Sequence, residues 1–360
     1  MGRSYRLSGW PLVTATALTG LLAELNYRRV SAAPASDPID AGKVTIVVPA
    51  RNEEHRIPRL LQSLQRLDYV NNEVFVVDDA SHDGTGLVAR HLGATVVTVD
   101  TLPQGWTGKA HACWLGASRS TGEWLLFTDA DTIHAPRSLS AAVSAAVASE
   151  SGMVSFLCRQ QCESLWERLV LPYAYALYFA GRLRINTSRR TAVANGQYIL
   201  MRRAEYERIG GHRAIRASVI DDVALAQRAH ACGVRVLLMR GEPWVAVRMY
   251  DGLASLSEGL SKNAVSFLAA SPAFGVLTVA ATLVFAGSVP GAVKAASYRQ
   301  GMAAYAVPAI ALLPWMRRFG VPVMYAWLYP LAAFMFQLIA LDSLRRTAFR
   351  RGVQWKGRRY

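Results

Sequence analysis

Three pairs of carboxylates in the 360-residue chain each sit at the border of a short apolar run. Asp129 and Asp131 flank Ala130 directly after Leu125-Leu126-Phe127-Thr128. Two acids around one small residue suit a nucleoside diphosphate. A hard divalent cation neutralises the phosphate oxygens and stabilises the leaving group, and its preferred ligands are oxygens. One acid then serves the metal and the other the sugar or ribose. Asp78-Asp79 ends a second apolar run, where an acid could also cap the helix that follows. Asp221-Asp222 opens a stretch of helical periodicity that runs to His230. Acids in a first turn suit the helix dipole, and a carboxylate there could equally act as general base on a hydroxyl.

The elements that carry these acids alternate. Val44 to Pro49 reads as a buried strand and Glu53 to Leu67 as a helix, with Ile57, Leu60, Leu61 and Leu64 on one face. Strands follow at Glu73 to Asp78, Ala94 to Val99 and Glu123 to Thr128, with helices at Asp83 to Leu92 and Lys109 to Ser120. Such alternation predicts an α/β fold with a mainly parallel sheet and helices on both faces. Ligands of these sheets bind at the carboxyl ends of the strands, and Arg51-Asn52-Glu53, Asp78-Asp79 and Asp129-Ala130-Asp131 all fall there. Beyond Gly152 the pattern becomes α+β. The aromatic-rich stretch Leu165 to Leu183 is either a core helix or one lying in a membrane interface.

Composition sets the surroundings. Hydrophobic residues make up 52% of the chain and its formal charge is +15. The apolar residues crowd the two ends, leaving Lys43 to Gly241 with the balance of a water-soluble α/β protein. Arg3 and Arg6 precede an apolar run from Trp10 to Leu25. Ala33-Pro34-Ala35 resembles a signal-peptidase site, but Arg28 and Arg29 intervene, and positive charge there favours retention as an uncleaved anchor. Ala264 to Val289, Met302 to Trp315 and Val321 to Leu341 are strongly apolar, and the first and third are long enough to span a bilayer. Arg345, Arg346, Arg350, Arg351, Lys356, Arg358 and Arg359 then form a basic tail suited to an anionic membrane surface. No zinc-finger, RRM-like or homeodomain-like pattern is present, so the charge points to membrane and away from nucleic acid. Cys113, Cys158, Cys162 and Cys232 lack the paired spacing of a zinc site or disulfide framework and read as reduced thiols. The expected organisation is an anchor over residues 1–30, a catalytic domain over 43–263, membrane helices over 264–341 and a basic tail over 342–360. With catalytic domain and tail both cytoplasmic, an even number of crossings separates them, and Met302 to Trp315, short and carrying Pro308 and Pro314, is the segment expected not to cross.

Taken together, Val47-Val48-Pro49-Ala50-Arg51-Asn52-Glu53-Glu54, Val77-Asp78-Asp79-Ala80-Ser81, Asp129-Ala130-Asp131 and Asp221-Asp222 resemble the family 2 glycosyltransferases of the GT-A fold. The resemblance covers about residues 43–250 with four motifs in order. It implies a nucleotide-sugar donor, a UDP-sugar or GDP-sugar, contacted by Pro49, Ala50, Arg51, Glu53, Asp78, Asp79, Lys109 and Asp129. It further implies a divalent cation, Mn²⁺ or Mg²⁺, on Asp131, and Asp222 as the base of an inverting single displacement. Leu102-Pro103-Gln104-Gly105-Trp106-Thr107-Gly108-Lys109 and Ala194-Asn195-Gly196-Gln197 are similar to segments of the membrane glycosyltransferases associated with hopanoid and carotenoid pathways. On that likeness Asn195, Gly196, Gln197 and Asp221 lie on the acceptor side, although a β-turn also accounts for 195–197. A Lys at a helix N-terminus is well placed to meet phosphate. Processive members carry Gln-x-x-Arg-Trp after the base motif; Trp244 to Asn263 lacks it, which favours transfer of a single sugar. The expected activity is therefore glycosylation of an isoprenoid-type membrane lipid at the cytoplasmic face. The alternatives are another lipid carrier or glycolipid precursor as acceptor, or a non-catalytic protein that binds sugar nucleotides.

Overall fold

The computed structural model describes residues 10–35, 39–270, 272–295 and 297–348, with the short pieces 354–355 and 358–359. Arg3, Arg6, Arg350, Arg351 and Lys356 lie outside the described residues. The chain opens with helix α1 (Trp10–Arg28) and a two-residue strand β1 (Ser31–Ala32). Then come β2 (Val44–Ala50), α2 (Ile57–Leu64), β3 (Asn72–Asp78), α3 (Thr85–His91), β4 (Thr95–Thr98), α4 (Gly108–Arg119) and β5 (Trp124–Thr128). Helix α2 starts later than its apolar periodicity predicts, because Pro58 sits in its first turn, where a missing N–H costs nothing, and residues 53–56 form a turn.

The second half adds β6 (Thr132–His134), α5 (Ser138–Ala148), β7 (Met153–Leu157), β8 (Arg159–Gln160), α6 (Leu165–Ala180), β9 (Tyr198–Arg202), α7 (Arg203–Arg208), α8 (Asp221–Ala231), β10 (Val236–Arg240) and β11 (Val245–Val247). An eight-stranded sheet forms in the order β1-β10-β7-β9-β5-β2-β3-β4. Every pairing is parallel except those of β9, which runs antiparallel between β5 and β7. Strand β2 is buried along nearly its whole length, as its β-branched run requires of a central parallel strand. Because β9 is reversed, the residues that lead into it, 195–197, emerge at the same edge as the carboxyl ends of β5 and β7. The fold thereby brings together segments distant in sequence.

Four further helices complete the chain: α9 (Leu253–Ala270), α10 (Pro272–Val293), α11 (Tyr298–Arg318) and α12 (Tyr329–Ala348). They gather with α1 around α6, whose Leu169, Val170, Tyr173 and Phe179 are almost completely buried against Phe285, Leu312, Trp315 and Tyr329. Glu24, awkward in an apolar helix, is met by Arg28 at 2.5 Å and by Arg318 of α11 at 2.7 Å. The stretch Leu165 to Leu183 is thus the centre of a helical frame, which decides for the core reading.

Ala264 to Val289 falls on α9 and α10, with residue 271 between them outside the described residues. One expectation about the apolar segments needs correction: Met302 to Trp315 is not short. Ser297 caps a helix that continues to Arg318, 21 residues in all, through Pro308 and Pro314. Among the described residues, the one stretch long and apolar enough to cross a membrane is Val323–Ser343, 21 residues of mean hydropathy 1.6; Val279–Val293 is apolar but shorter.

Candidate active site

A cavity of about 680 Å³ opens at the carboxyl edge of the large sheet and runs on into the helical frame. At one end it is walled by Pro49, Ala50, Arg51, Glu53 and Asp79, in its middle by Lys109, Asp129, Asp131, Asn195, Gly196, Gln197, Asp221 and Asp222. Every residue singled out from the sequence is therefore present except Asp78. That carboxylate instead accepts from Ser81 N at 3.0 Å and lies against Gly86, where a Cβ would come within 2.6 Å of it. Asp78 shapes the turn that presents Asp79.

The first two loops lock one another. Arg51 Nη1 donates to the carbonyls of Asp79 (2.6 Å) and Ala80 (3.0 Å), while Asn52 N donates to Ser81 Oγ and His82 N to Asn52 Oδ1. Asn52 and Ala80 both adopt left-handed backbone, φ 54° and 52°. Asn tolerates this readily; for Ala it costs about 1 kcal/mol, which the Arg51 clamp offsets. Neither Asp78 nor Asp79 caps α3: its N-cap is Gly84, and Asp83 just before it accepts from Thr85 N at 3.1 Å.

The turn bearing Asp129 and Asp131 is fixed from beneath by residues that the sequence did not signal. Thr128 Oγ1 donates to Gln197 O at 2.9 Å and contacts His134 Nε2 at 3.0 Å; Thr132 Oγ1 donates to Asp129 O at 2.8 Å. Burial pushes the His134 imidazole down to about 3, so it is a neutral hydrogen-bonding strut at physiological pH.

Lys109 joins the acids. Its ammonium lies 2.6 Å from Asp129, 4.0 Å from Asp221 and 3.3 Å from Gly196 O. Burial works against its charge, but Asp129 and Asp221 hold it well above the usual lysine range. Asp222 accepts from Gly196 N at 2.9 Å and from its neighbour Val223 N at 2.8 Å. Burial first, and Asp221 second, push the Asp222 carboxyl above the ordinary aspartate range, while Lys109 and the two N–H groups pull the other way. A base must be ionised, so if Asp222 takes that role, activity is expected to be lost as pH falls through its raised pKa. Removing the cation with Lys109→Met raises that pKa further and shifts the acid limb of the kcat–pH profile to higher pH. An acid limb that stays in place would exclude this coupling.

Among the described residues, no group of three or more His, Cys, Asp or Glu side chains could hold a metal ion. The acids fit a cation that arrives with a diphosphate and takes most of its oxygens from phosphate and water, needing only one or two carboxylates from protein. Asp129 is engaged by Lys109 at 2.6 Å, and Asp131 lines the same cavity two residues on. The four cysteines are free thiols, Cys113 and Cys158 buried, as their spacing implied. His212 is buried against Phe127 and receives no site role; its Nδ1 lies 2.9 Å from Tyr206 Oη.

The far end of the cavity is apolar. Leu171, Tyr175 and Tyr178 of α6, Leu260 of α9, Leu283 of α10 and Phe336 of α12 form its wall. The tyrosines were visible in the sequence only as an aromatic-rich helix. Their partners come from segments 80–160 residues later, which no local pattern links to the acids.

Residues 45–210 match the model of the family described as Glycosyl transferase family 2. A 4,4'-diaponeurosporenoate glycosyltransferase of Staphylococcus haemolyticus (strain JCSC1435) is 27% identical over 332 residues, 88% of each chain. The protein of that name from Staphylococcus aureus (strain USA300) is 29% identical over 336 residues, again 88% of each. Among solved structures, the mannosyltransferase PcManGT from Pyrobaculum calidifontis, in complex with GDP-Man and Mn²⁺, superposes over 94% of this chain and 99% of its own, with a TM-score of 0.56 and 22% identity. The fold is that of the GT-A enzymes, a mainly parallel sheet with the ligand edge at its strand ends. The match to that family model over residues 45–210, together with relatives of this name over 88% of the chain, marks the protein as a glycosyltransferase.

Proposed function

We propose that the protein transfers one sugar from a nucleotide-sugar donor, a UDP-sugar or GDP-sugar, to a carotenoid-type membrane lipid, with inversion and with a divalent cation. The observation that carries this reading is the continuity of the cavity. One space holds the acids at its sheet end and the apolar wall of α6, α9, α10 and α12 at its other end. A water-soluble acceptor has no use for that wall, whereas a long apolar acceptor needs it to leave its lipid environment. The names of the Staphylococcus relatives, a carotenoid-derived acid as acceptor, agree with it.

In this reading Glu53 and Asp79 hold the nucleoside, and Asp129 with Lys109 orients the sugar and its phosphate. Asp131 would hold the cation, which when bound would supply positive charge to the diphosphate oxygens and to the departing nucleoside diphosphate. The acceptor oxygen attacks the anomeric carbon from the side opposite the diphosphate. The new C–O bond forms as the bond to phosphate oxygen breaks, and Asp222 takes the proton when the acceptor is a hydroxyl. The catalytic part faces the cytoplasm, where nucleotide sugars are made, and the helical frame with α1 lies in or on the membrane.

Mass spectrometry of lipid extracts from cells with and without the gene tests the reading: an apolar isoprenoid must gain one sugar mass only when the gene is present. Gain on a water-soluble acceptor alone would sink it. Within the frame, Leu283→Trp narrows the apolar end. It is expected to lower kcat/KM for the lipid acceptor about tenfold and to leave donor hydrolysis unchanged, as measured by nucleoside diphosphate release without acceptor.

A further inference from the structure

Three side-chain amides lie against the floor of the cavity, and their orientations are fixed by backbone atoms that can only accept. Asn195 Nδ2 donates to Phe156 O at 2.8 Å, and Gln160 Nε2 donates to Cys158 O at 3.1 Å. A carbonyl oxygen has no hydrogen to give, so neither amide can be turned over without losing its bond. Both NH₂ groups then reach the same atom, Gln197 Oε1, at 3.1 and 3.2 Å. Asn195 Oδ1 in turn faces Gln197 N at 3.4 Å. With its oxygen taken by two donors, Gln197 has one orientation left: its own NH₂ faces the cavity that it lines.

The place it faces is narrow in chemical terms. Gln197 O is bonded by Thr128, the residue before Asp129. The next residue on the other side, Gly196, holds Asp222 through its N–H and Lys109 through its carbonyl. The amide therefore stands between the acids of the diphosphate end and the base, where the transferred sugar must lie. A sugar offers hydroxyl oxygens that accept from N–H; the acceptor's apolar body offers none.

We propose that Gln160, buried and outside the cavity lining, is a positioning residue that holds the Gln197 amide with its NH₂ toward a hydroxyl oxygen of the transferred sugar. The inference rests on the donor reading above. It makes Gln160 a determinant of sugar recognition, acting through Gln197 with no contact to substrate.

The test is calorimetric titration of UDP against UDP-glucose and of GDP against GDP-mannose, using whichever pair the wild-type protein binds. In Gln160→Met the bare nucleotide should bind within about twofold of wild type, while the nucleotide sugar weakens about three- to tenfold, the range for one hydrogen bond. Gln160→Glu keeps the shape but brings no N–H donor, and should show the same sugar-dependent loss; it serves if the methionine variant folds poorly. Gln197→Met should match these losses, and Gln160→Met combined with Gln197→Met should add nothing to Gln197→Met alone. Equal weakening of nucleotide and nucleotide sugar, an additive double variant, or a change confined to the acceptor KM would each overturn the inference. So would unaltered sugar affinity in variants of a wild type that binds. A wild type that binds neither pair would overturn the donor reading itself.

Discussion

Asp131→Ala is expected to lower turnover by about three orders of magnitude and to erase the response to Mn²⁺ or Mg²⁺. The assignment follows from the division of labour within one turn. Asp129 is held by the Lys109 ammonium at 2.6 Å, which ties its charge to the sugar side and makes it a poor partner for a second cation. Asp131 lines the cavity two residues on, on a turn that Thr128, Thr132 and His134 keep rigid. Without its carboxylate the departing diphosphate would lose the group proposed to hold its counter-ion. Metal titrations of nucleoside diphosphate release, wild type against variant, measure both parts. Full wild-type activity in excess EDTA would refute the role, and so would a variant that still responds to the cation.

The second large effect is at Asp222, and its size depends on the acceptor. With a hydroxyl acceptor, Asp222→Asn should reduce kcat about 10²-fold or more while donor affinity stays nearly constant. The hydroxyl must shed a proton as it attacks, and Asp222, joined to Gly196 and Val223 by its two oxygens, is the base proposed above. A carboxylate acceptor is already ionised at neutral pH, so the same substitution should then cost far less. The name of the Staphylococcus relatives denotes a carboxylate, which makes paired assays with an alcohol and an acid of one carbon skeleton the decisive format. A mild effect on a proven hydroxyl acceptor would remove Asp222 from the role of base.

The sheet was legible because its strands are short apolar runs separated by helices of clear periodicity, and because each ends in a polar cluster. That is a local signal, and it picked out most of the polar residues that line the sheet end of the cavity. Asp78 misled for a physical reason. Adjacent acids at a strand end point to opposite sides, and only Asp79 turns into the cavity, while Asp78 secures the turn. The amide Gln160 gave no signal at all, since a lone glutamine acquires its function only from the carbonyls that the fold sets beside it. Helix ends in the apolar region were also illegible. Proline reads as a breaker, yet Pro308 and Pro314 lie inside α11, which packs against α1 and α10. That support is tertiary information.

Helix α6 has a consequence for how the chain is made. It spans residues 165–180, but most of the helices that enclose it come from residues 253–348. On the ribosome only α1 is available when α6 emerges. At about 5–20 residues per second, the rest of its enclosure follows roughly ten to thirty seconds later. Through that interval Leu169, Tyr173 and Phe179 need another apolar shelter, which under the proposed membrane reading a bilayer beside the exit tunnel would supply. The same dependence means that a transcript cut short after β11 encodes every acid of the site but leaves α6 with α1 as its only helical partner from this frame. Nascent-chain quality control, not loss of chemistry, would then remove the product.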